Sequence, residues 1–399
     1  MSETVRSGRS SAAGVITASA FVSLLTYSIM LSLAGILINE IVEAFDLEGA
    51  SEGLMGSMVS VGFLLSLFVI PLLQGRVRKL TMLIFGGVFQ ALALSMVGMS
   101  PVFSFLGAAC VILGFVGGFI DTYCNSSIVD VWKDKSARYL GYLHGVFGVG
   151  SLLAPLLIFW MLRHMDWRGV HYYVAAFSLL AALFVLLLKL RSGKAATEEA
   201  TREKTLSMES LAEYLKNKRS IILAITGFLA AFAQTGLLAW IVRYLAVQFG
   251  TDDFGAAALS AYWLGATVNR FCLSQLTARA PWKYFAIGTV LFAALLVAGV
   301  MSESPFVLTV MVGASGLVSG QLVPVLVSQS AVGHEGKTTL TTSFILIVMG
   351  VGRAAAPLLM AIVSTQISYV AGMMVPAATA IAAGACGLVT LKVEKGEPA

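Results

Sequence analysis

Two apolar stretches half a chain apart carry the same pattern of glycine and proline. Gly148-Val149-Gly150-Ser151-Leu152-Leu153-Ala154-Pro155 returns as Gly350-Val351-Gly352-Arg353-Ala354-Ala355-Ala356-Pro357, 202 residues later in a chain of 399. A second pair keeps this register: Ser57 and Gly62 are answered by Ser260 and Gly265, 203 residues on. Repeats on this scale inside apolar segments imply a duplicated set of membrane helices. That duplication is the usual signature of a secondary transporter, whose halves rock about a shared central site.

Composition supports a lipid-solvated chain. The residues are 58% hydrophobic and 12% charged, against roughly a quarter charged in ordinary soluble domains. No water-facing fold could bury so much apolar surface, so the bilayer is the expected solvent. The net charge of +5 does not point to nucleic acid, because the cations gather in short loops on one side. All four cysteines (Cys110, Cys124, Cys272, Cys386) fall inside apolar spans, where free thiols packed as small core residues are expected rather than a disulfide framework. The polar N-terminus, Met1 to Gly14, leads into an apolar run too long for a cleaved signal peptide, which reads as the first transmembrane helix.

At about 20 residues per span, the sequence predicts twelve helices in an all-α membrane fold of two pseudo-symmetric six-helix bundles. The first six cover 15–43, 53–74, 79–99, 101–131, 138–162 and 168–190, and the second six 220–248, 255–277, 283–302, 305–331, 338–363 and 367–391. The domains are thus 1–190 and 220–399, with 191–219 a cytoplasmic linker holding a short amphipathic helix near Met208 to Tyr214.

Orientation follows from the positive charges. With the N-terminus inside, the tail and inner loops hold Arg6, Arg9, Arg76, Arg78, Lys79, Lys133, Lys135 and Arg138, while the outer side holds Arg163, Arg168 and, at a helix end, Arg243. The outer loops carry acids instead: Asp46, Glu48, Glu52, Asp252, Asp253 and Glu303. Both termini are expected in the cytoplasm, and the protein in the inner membrane.

Ionisable groups at mid-span depth are costly, roughly 2.5–3.5 kcal/mol on the insertion scale unless paired or solvated. Asp121 in the fourth span is the clearest case. It lies 11 residues before Trp132, about 16 Å along a helix, and Asn125 shares its face one turn on. A carboxylate there suits a proton or sodium carrier; the alternative is a buried ion pair with Arg353 or Arg270 and no transport role. Arg353 sits inside the repeat, opposite Ser151 of the first half. It either binds Asp121 or solute oxygens, or it snorkels and caps carbonyls near Pro357. Arg270 in the eighth span suits a cytoplasmic gate pairing. His144 in the fifth span is a packing residue or a proton relay. Glu40 and Arg243, in matching places 203 residues apart, are either an outer gate pair or two solvated helix-end charges.

The glycines Gly114, Gly117 and Gly118, with Gly313, Gly316 and Gly320, fit close helix packing. Asp121 and Asn125 correspond to Val323 and Val327, so only the first half carries the acid. Tyr27, Ser28, Tyr123, Gln234 and Gln321 could line a sugar-sized cavity or glue helices together. Trp240, Tyr262 and Trp263 read as helix packing and interfacial belt.

These features together resemble the major facilitator superfamily over essentially the whole length. Its loop signature between the second and third helices, Gly-x-Leu-x-Asp-Arg-x-Gly-Arg-Arg, is partly kept in Pro71-Leu72-Leu73-Gln74-Gly75-Arg76-Val77-Arg78-Lys79, without the acid. Asp130 could engage Arg76 or Arg78 in its place, as a cytoplasmic gate. Gly118-Phe119-Ile120-Asp121-Thr122-Tyr123-Cys124-Asn125 and His144-Gly145-Val146-Phe147-Gly148-Val149-Gly150 are similar to segments of the fucose–galactose–glucose:proton symporter family. That resemblance implies Asp121 as the protonated or substrate-linked acid and Asn125 as a sugar contact. The family's second acid, in its first helix, has no mid-span counterpart here.

The expectation is therefore a proton- or sodium-coupled symporter of a small polar solute, most simply a sugar. Asp121 and His144 would serve cation coupling, and Asn125, Tyr27, Gln234, Gln321 and Arg353 solute binding. An exporter of amphipathic compounds, an organic-anion transporter, and a non-transporting receptor or assembly factor are the rivals. No catalytic constellation, cofactor, metal site or nucleic-acid partner is expected, and a monomer is.

Overall fold

The computed structural model describes residues 3–73, 77–132, 136–192, 216–251, 253–272, 279–330, 332 and 338–394. It is all-α. The elements are α1 (Glu3–Ile36), α2 (Ile38–Ala44), a 3-10 turn (Gly49–Gly53), α3 (Leu54–Leu73), α4 (Lys79–Gly98), α5 (Phe103–Trp132), α6 (Ser136–Leu162) and α7 (Trp167–Ser192). After the linker come α8 (Lys218–Phe249), α9 (Asp253–Cys272), α10 (Pro281–Met301), α11 (Pro305–Ser319), α12 (Leu322–Ser330), α13 (Thr338–Gln366) and α14 (Tyr369–Glu394). Among the described residues, eleven spans are long and apolar enough to cross a membrane. The remaining expected span, α9, has 20 residues and carries Asp253 and Arg270 within them. The short helix expected near Met208 to Tyr214 lies outside the described residues.

Two expected spans are each broken into two helices. The first bends at Leu37, whose backbone leaves the helical region at φ −89° and ψ 13°. The tenth breaks at Gly320–Gln321, between α11 and α12. Large apolar side chains such as Phe68, Phe89, Trp160, Leu180 and Phe306 stand more than half exposed, which suits hydrocarbon and would be a liability in water.

By packing, one unit takes α1 up to Leu33 and the described residues from Gly62 through α7; the other takes Ala34–Val61 and everything described from α8 on. The segment Ala34–Val61, in chain order part of the first half, thus packs with helices of the second. In the first unit, buried Gln90 of α4 donates to Thr26 O of α1 (3.2 Å) and to Ser178 Oγ of α7 (2.9 Å), tying three helices through one amide. All four cysteines are free thiols, Cys110 and Cys124 fully buried.

The repeated glycines explain the duplication physically. A Cβ on Gly62 would lie 1.9 Å from the Val111 carbonyl oxygen of α5, and one on Gly265 would lie 2.2 Å from the Gly313 carbonyl of α11. The next pair repeats the device: Gly118 faces Ser66 at 1.8 Å, and Gly320 faces the Ala266 carbonyl at 2.7 Å. In the repeat motif itself, Gly150 takes Ser28 Oγ at 1.9 Å and Gly352 takes the Phe228 carbonyl at 2.5 Å. Corresponding glycines therefore seat corresponding helices in contact too close for any side chain. Gly62→Ala and Gly316→Ala should each destabilise the protein by about 1–3 kcal/mol through overpacking, whereas Gly141→Ala, with open space around it, should be neutral or slightly stabilising. Thermal unfolding in detergent, followed by tryptophan fluorescence, checks the contrast.

Candidate functional site

In the first unit, Asp121 stands well inside the 30-residue α5 and is half-buried. The one-turn spacing to Asn125 brings their side chains together: Asn125 Nδ2 donates to the Asp121 backbone oxygen (2.8 Å) and to its Oδ1 (3.2 Å). Aromatic groups lie on another face of α5 and against it one turn before Asp121. Phe119 stacks on Tyr123 at 6.1 Å, Tyr27 lies 6.1 Å from Phe147, and the Tyr27 ring rests against Gly117. In the second unit the corresponding Val323 and Val327 pack against the apolar core of Trp282, Phe285 and their neighbours. The acid–amide couple therefore belongs to one half alone. Ser28 is a packing group instead, fully buried against Gly150, its hydroxyl donating to Leu25 O. His144 is exposed on α6 and Arg353 half-buried on α13.

At the far end of α5, Asp130 is engaged by Lys79, which also donates to the Ser126 backbone oxygen at 3.1 Å. Lys79 takes the place expected for Arg78. Arg78 is exposed at the N-cap of α4, so its side chain starts one residue too early to reach across, and Arg76 lies outside the described residues. With the pair's side chains 17% and 31% exposed, its net contribution should be small.

The break in the tenth span gathers residues that the sequence scattered among different roles. Interrupting a helix strands carbonyl groups that lipid cannot hydrate. Here side chains from α8 and α9 cover them: Gln234 Nε2 donates to Ser319 O (3.2 Å), Arg270 Nε to Gly320 O (3.3 Å), and Asn269 Nδ2 to Leu317 O. The Tyr262 hydroxyl meets Ser319 Oγ at 3.1 Å. Arg270 makes no ion pair among the described residues and caps a carbonyl, in place of the expected gate pairing. Gln321, at the break itself, lines a crevice of about 170 Å³ with Asn269, Ile287 and Leu291. Tyr262 and Trp240 are 2% and 0% exposed, so both are interior packing groups, and Trp240 does not sit in an interfacial belt.

A last cluster lies at the other end of this unit. Arg243 of α8 donates through Nε to Glu52 Oε2 at 2.9 Å, and the Tyr369 hydroxyl of α14 reaches the same oxygen at 3.3 Å. Glu40 and Arg243 read as an outer gate pair or as two solvated helix-end charges; the ion pair Arg243 forms is with Glu52. Sequence reading placed Glu52 among solvated loop acids, yet it is 6% exposed. Nothing in its local pattern announces this, because burial comes from the 3-10 turn pressing on α13. A Cβ on Gly53 would lie 2.1 Å from the Pro357 carbonyl.

Long apolar helices, a duplicated packing scheme and a one-sided intramembrane acid define a transport-type membrane fold. Residues 16–340 match the Major Facilitator Superfamily, and the chain belongs to that family. It is 23% identical over 291 residues to the cis,cis-muconate transport protein of Acinetobacter baylyi, covering 70% of each chain. It is 22% identical over 339 residues to a TsgA homolog of Yersinia pestis, covering 82% of this chain and 83% of the relative. Among solved structures, a bacterial homolog of the human lysosomal transporter Spinster, inward-facing and occupied, superposes with a TM-score of 0.77 at 16% identity over the whole of both chains. The nucleoside transporter NupG gives 0.78 at 14% identity over 95% of this chain and 100% of that one. The solved structures fix the fold; the family match makes the protein a multi-pass membrane transporter of a small-molecule solute rather than an enzyme.

Because Gln234 and Tyr262 converge on Ser319, their removal should be non-additive. Gln234→Leu and Tyr262→Phe should each cost about 1–2 kcal/mol, and the double variant less than the sum of the two. A double-mutant cycle of thermal unfolding in detergent measures the coupling.

Proposed function

We propose that the protein is a secondary active symporter that couples a proton or sodium ion, through Asp121, to movement of a small polar solute by alternating access. The observation that carries this reading is the Asp121–Asn125 couple, half-buried within α5, with the Tyr27 ring resting against Gly117 one turn before it on the same face. A carboxylate held in a span is expensive, and protonation or cation binding removes that cost. Its charge state can therefore be linked to which side of the membrane the site faces. A tyrosine ring, an acid and an amide along one face of α5 suit the hydroxyl groups of a ring, which favours a sugar. His144 and Arg353 stand as secondary coupling and solute-binding groups. Gln234 and Gln321 support the break in the tenth span and would act on solute from there. In this reading the protein is a monomer of the inner membrane with both termini in the cytoplasm, as the loop charges favour.

A small organic anion is the second reading. It is favoured by the similarity to a protein named for muconate transport and by the half-buried cation Arg353.

The test is uptake by proteoliposomes under an inward proton or sodium gradient, with a panel of hexoses and of small dicarboxylates, comparing wild type with Asp121→Asn. Gradient-driven accumulation of a hexose by the wild type, reduced to equilibration in the variant, is the expected outcome. Accumulation of a dicarboxylate alone would replace the sugar by an anion. Full accumulation by Asp121→Asn would remove Asp121 from coupling.

A further inference from the structure

The cluster around Glu52 has a composition that a simple structural ion pair does not require. Arg243 and Trp240 lie three residues apart on α8, on one face. The Trp240 indole stacks on the Tyr369 ring, with centroids 6.5 Å apart and planes inclined by 15°. Two hydrogen-bond donors, the Arg243 guanidinium and the Tyr369 hydroxyl, already converge on one carboxylate. A third donor sits in the same group of side chains. Trp240 is fully buried, and its Nε1 has no hydrogen-bond partner among the described residues. A buried N–H without an acceptor is unfavourable, so the second-half helices hold more donor capacity than Glu52 uses.

The acid arrives from elsewhere in the chain. Glu52 rides on the Ala34–Val61 segment, which packs on these helices while its chain continues into the other unit on both sides, at Leu33 and Gly62. The three donors, in contrast, all belong to α8 and α14. We propose that Arg243, Tyr369 and Trp240 form a binding subsite for a small carboxylate, and that Glu52 occupies it in this structure as a tethered internal ligand. When the Ala34–Val61 segment moves away, as alternating access requires, the guanidinium and the hydroxyl lose their anion. A carboxylate-bearing molecule then takes the same place, and Glu52 must displace it for the segment to return. A guanidinium selects carboxylate through charge-assisted hydrogen bonds, and the aromatic walls admit an apolar body behind the carboxylate. The inference rests on the transport reading only for the movement of the segment, and deepens its organic-anion form.

Removing the tethered ligand should expose the subsite to soluble ones. In the purified full chain, Glu52→Ala leaves a space the size of a carboxymethyl group, which acetate and formate fit. Thermal unfolding in detergent with acetate, formate or chloride at equal ionic strength tests this. Acetate and formate should raise the midpoint of Glu52→Ala with an apparent affinity at least tenfold tighter than for wild type, and chloride should not. The acetate effect should vanish in Glu52→Ala/Arg243→Gln and weaken in Glu52→Ala/Tyr369→Phe. Acetate should also change the tryptophan emission of Glu52→Ala, and Trp240→Phe should abolish that change. If Glu52→Ala does not purify folded, Glu52→Ser opens nearly the same space with a polar residue, and the same series applies. An equal response to acetate with and without Arg243, or no response in either Glu52 variant, overturns the proposal. Binding is read without any gradient, so this result stands apart from the outcome of the uptake assay.

Discussion

The structure depends on backbones meeting where no side chain intervenes. In lipid, apolar side chains gain little by leaving the solvent, so helices associate through close van der Waals contact and a few hydrogen bonds. The pairs Gly62 and Gly265, Gly118 and Gly320, and Gly150 and Gly352 supply that contact at corresponding places in both halves. Adding even a methyl group at these positions would drive it into a carbonyl oxygen, or into a serine side chain held by its own hydrogen bond. The motif that repeats along the chain is thus a repeat of helix seating. Pro357 belongs to the same logic, because its carbonyl receives Gly53 and brings the 3-10 turn onto α13.

Once packing is symmetric, chemistry can differ between halves without changing the fold. The first half uses its glycine-seated α5 to hold Asp121 and Asn125, while the second fills the corresponding places with Val323 and Val327 against an apolar core. The second half places its polarity at the break between α11 and α12. There Gln234, Tyr262, Asn269 and Arg270 together satisfy a stretch of backbone and a serine hydroxyl that water cannot reach. An arginine spent on a carbonyl is unusual in water, where it gains little. In a bilayer the alternative is an unsatisfied oxygen, and the exchange favours the bond.

Most of the fold and part of the site could be read from the residues in order. The spans follow from apolar length, and the joining of Asp121 to Asn125 follows from helical period. Partners distant in sequence were harder to read. Asp130 was expected to meet Arg76 or Arg78; Lys79 meets it, because the start of α4 turns Lys79 toward α5 and leaves Arg78 exposed. Arg243 and Glu40, counterparts by offset, read as a gate pair or as two solvated charges, and Arg243 pairs with Glu52. Offsets between repeats match positions that are equivalent, and equivalent positions need not touch. Ser28 looked like a cavity residue by depth, yet it fills the groove that Gly150 leaves.

By itself, then, the sequence determined the solvent, the order of the apolar spans, the duplication and the presence of Asp121 within one of those spans. Each of these rests on local physics: span length against bilayer thickness, glycine at repeated positions, and the cost of charge in hydrocarbon. Only the tertiary structure decided which side chains complete the break in the tenth span, that Ala34–Val61 packs with the second-half helices, and that Glu52 is buried among donors from α8 and α14. Those outcomes depend on contacts between residues from 48 to 317 positions apart. Their energies come from the match of surfaces and of donors with acceptors, which no single segment contains.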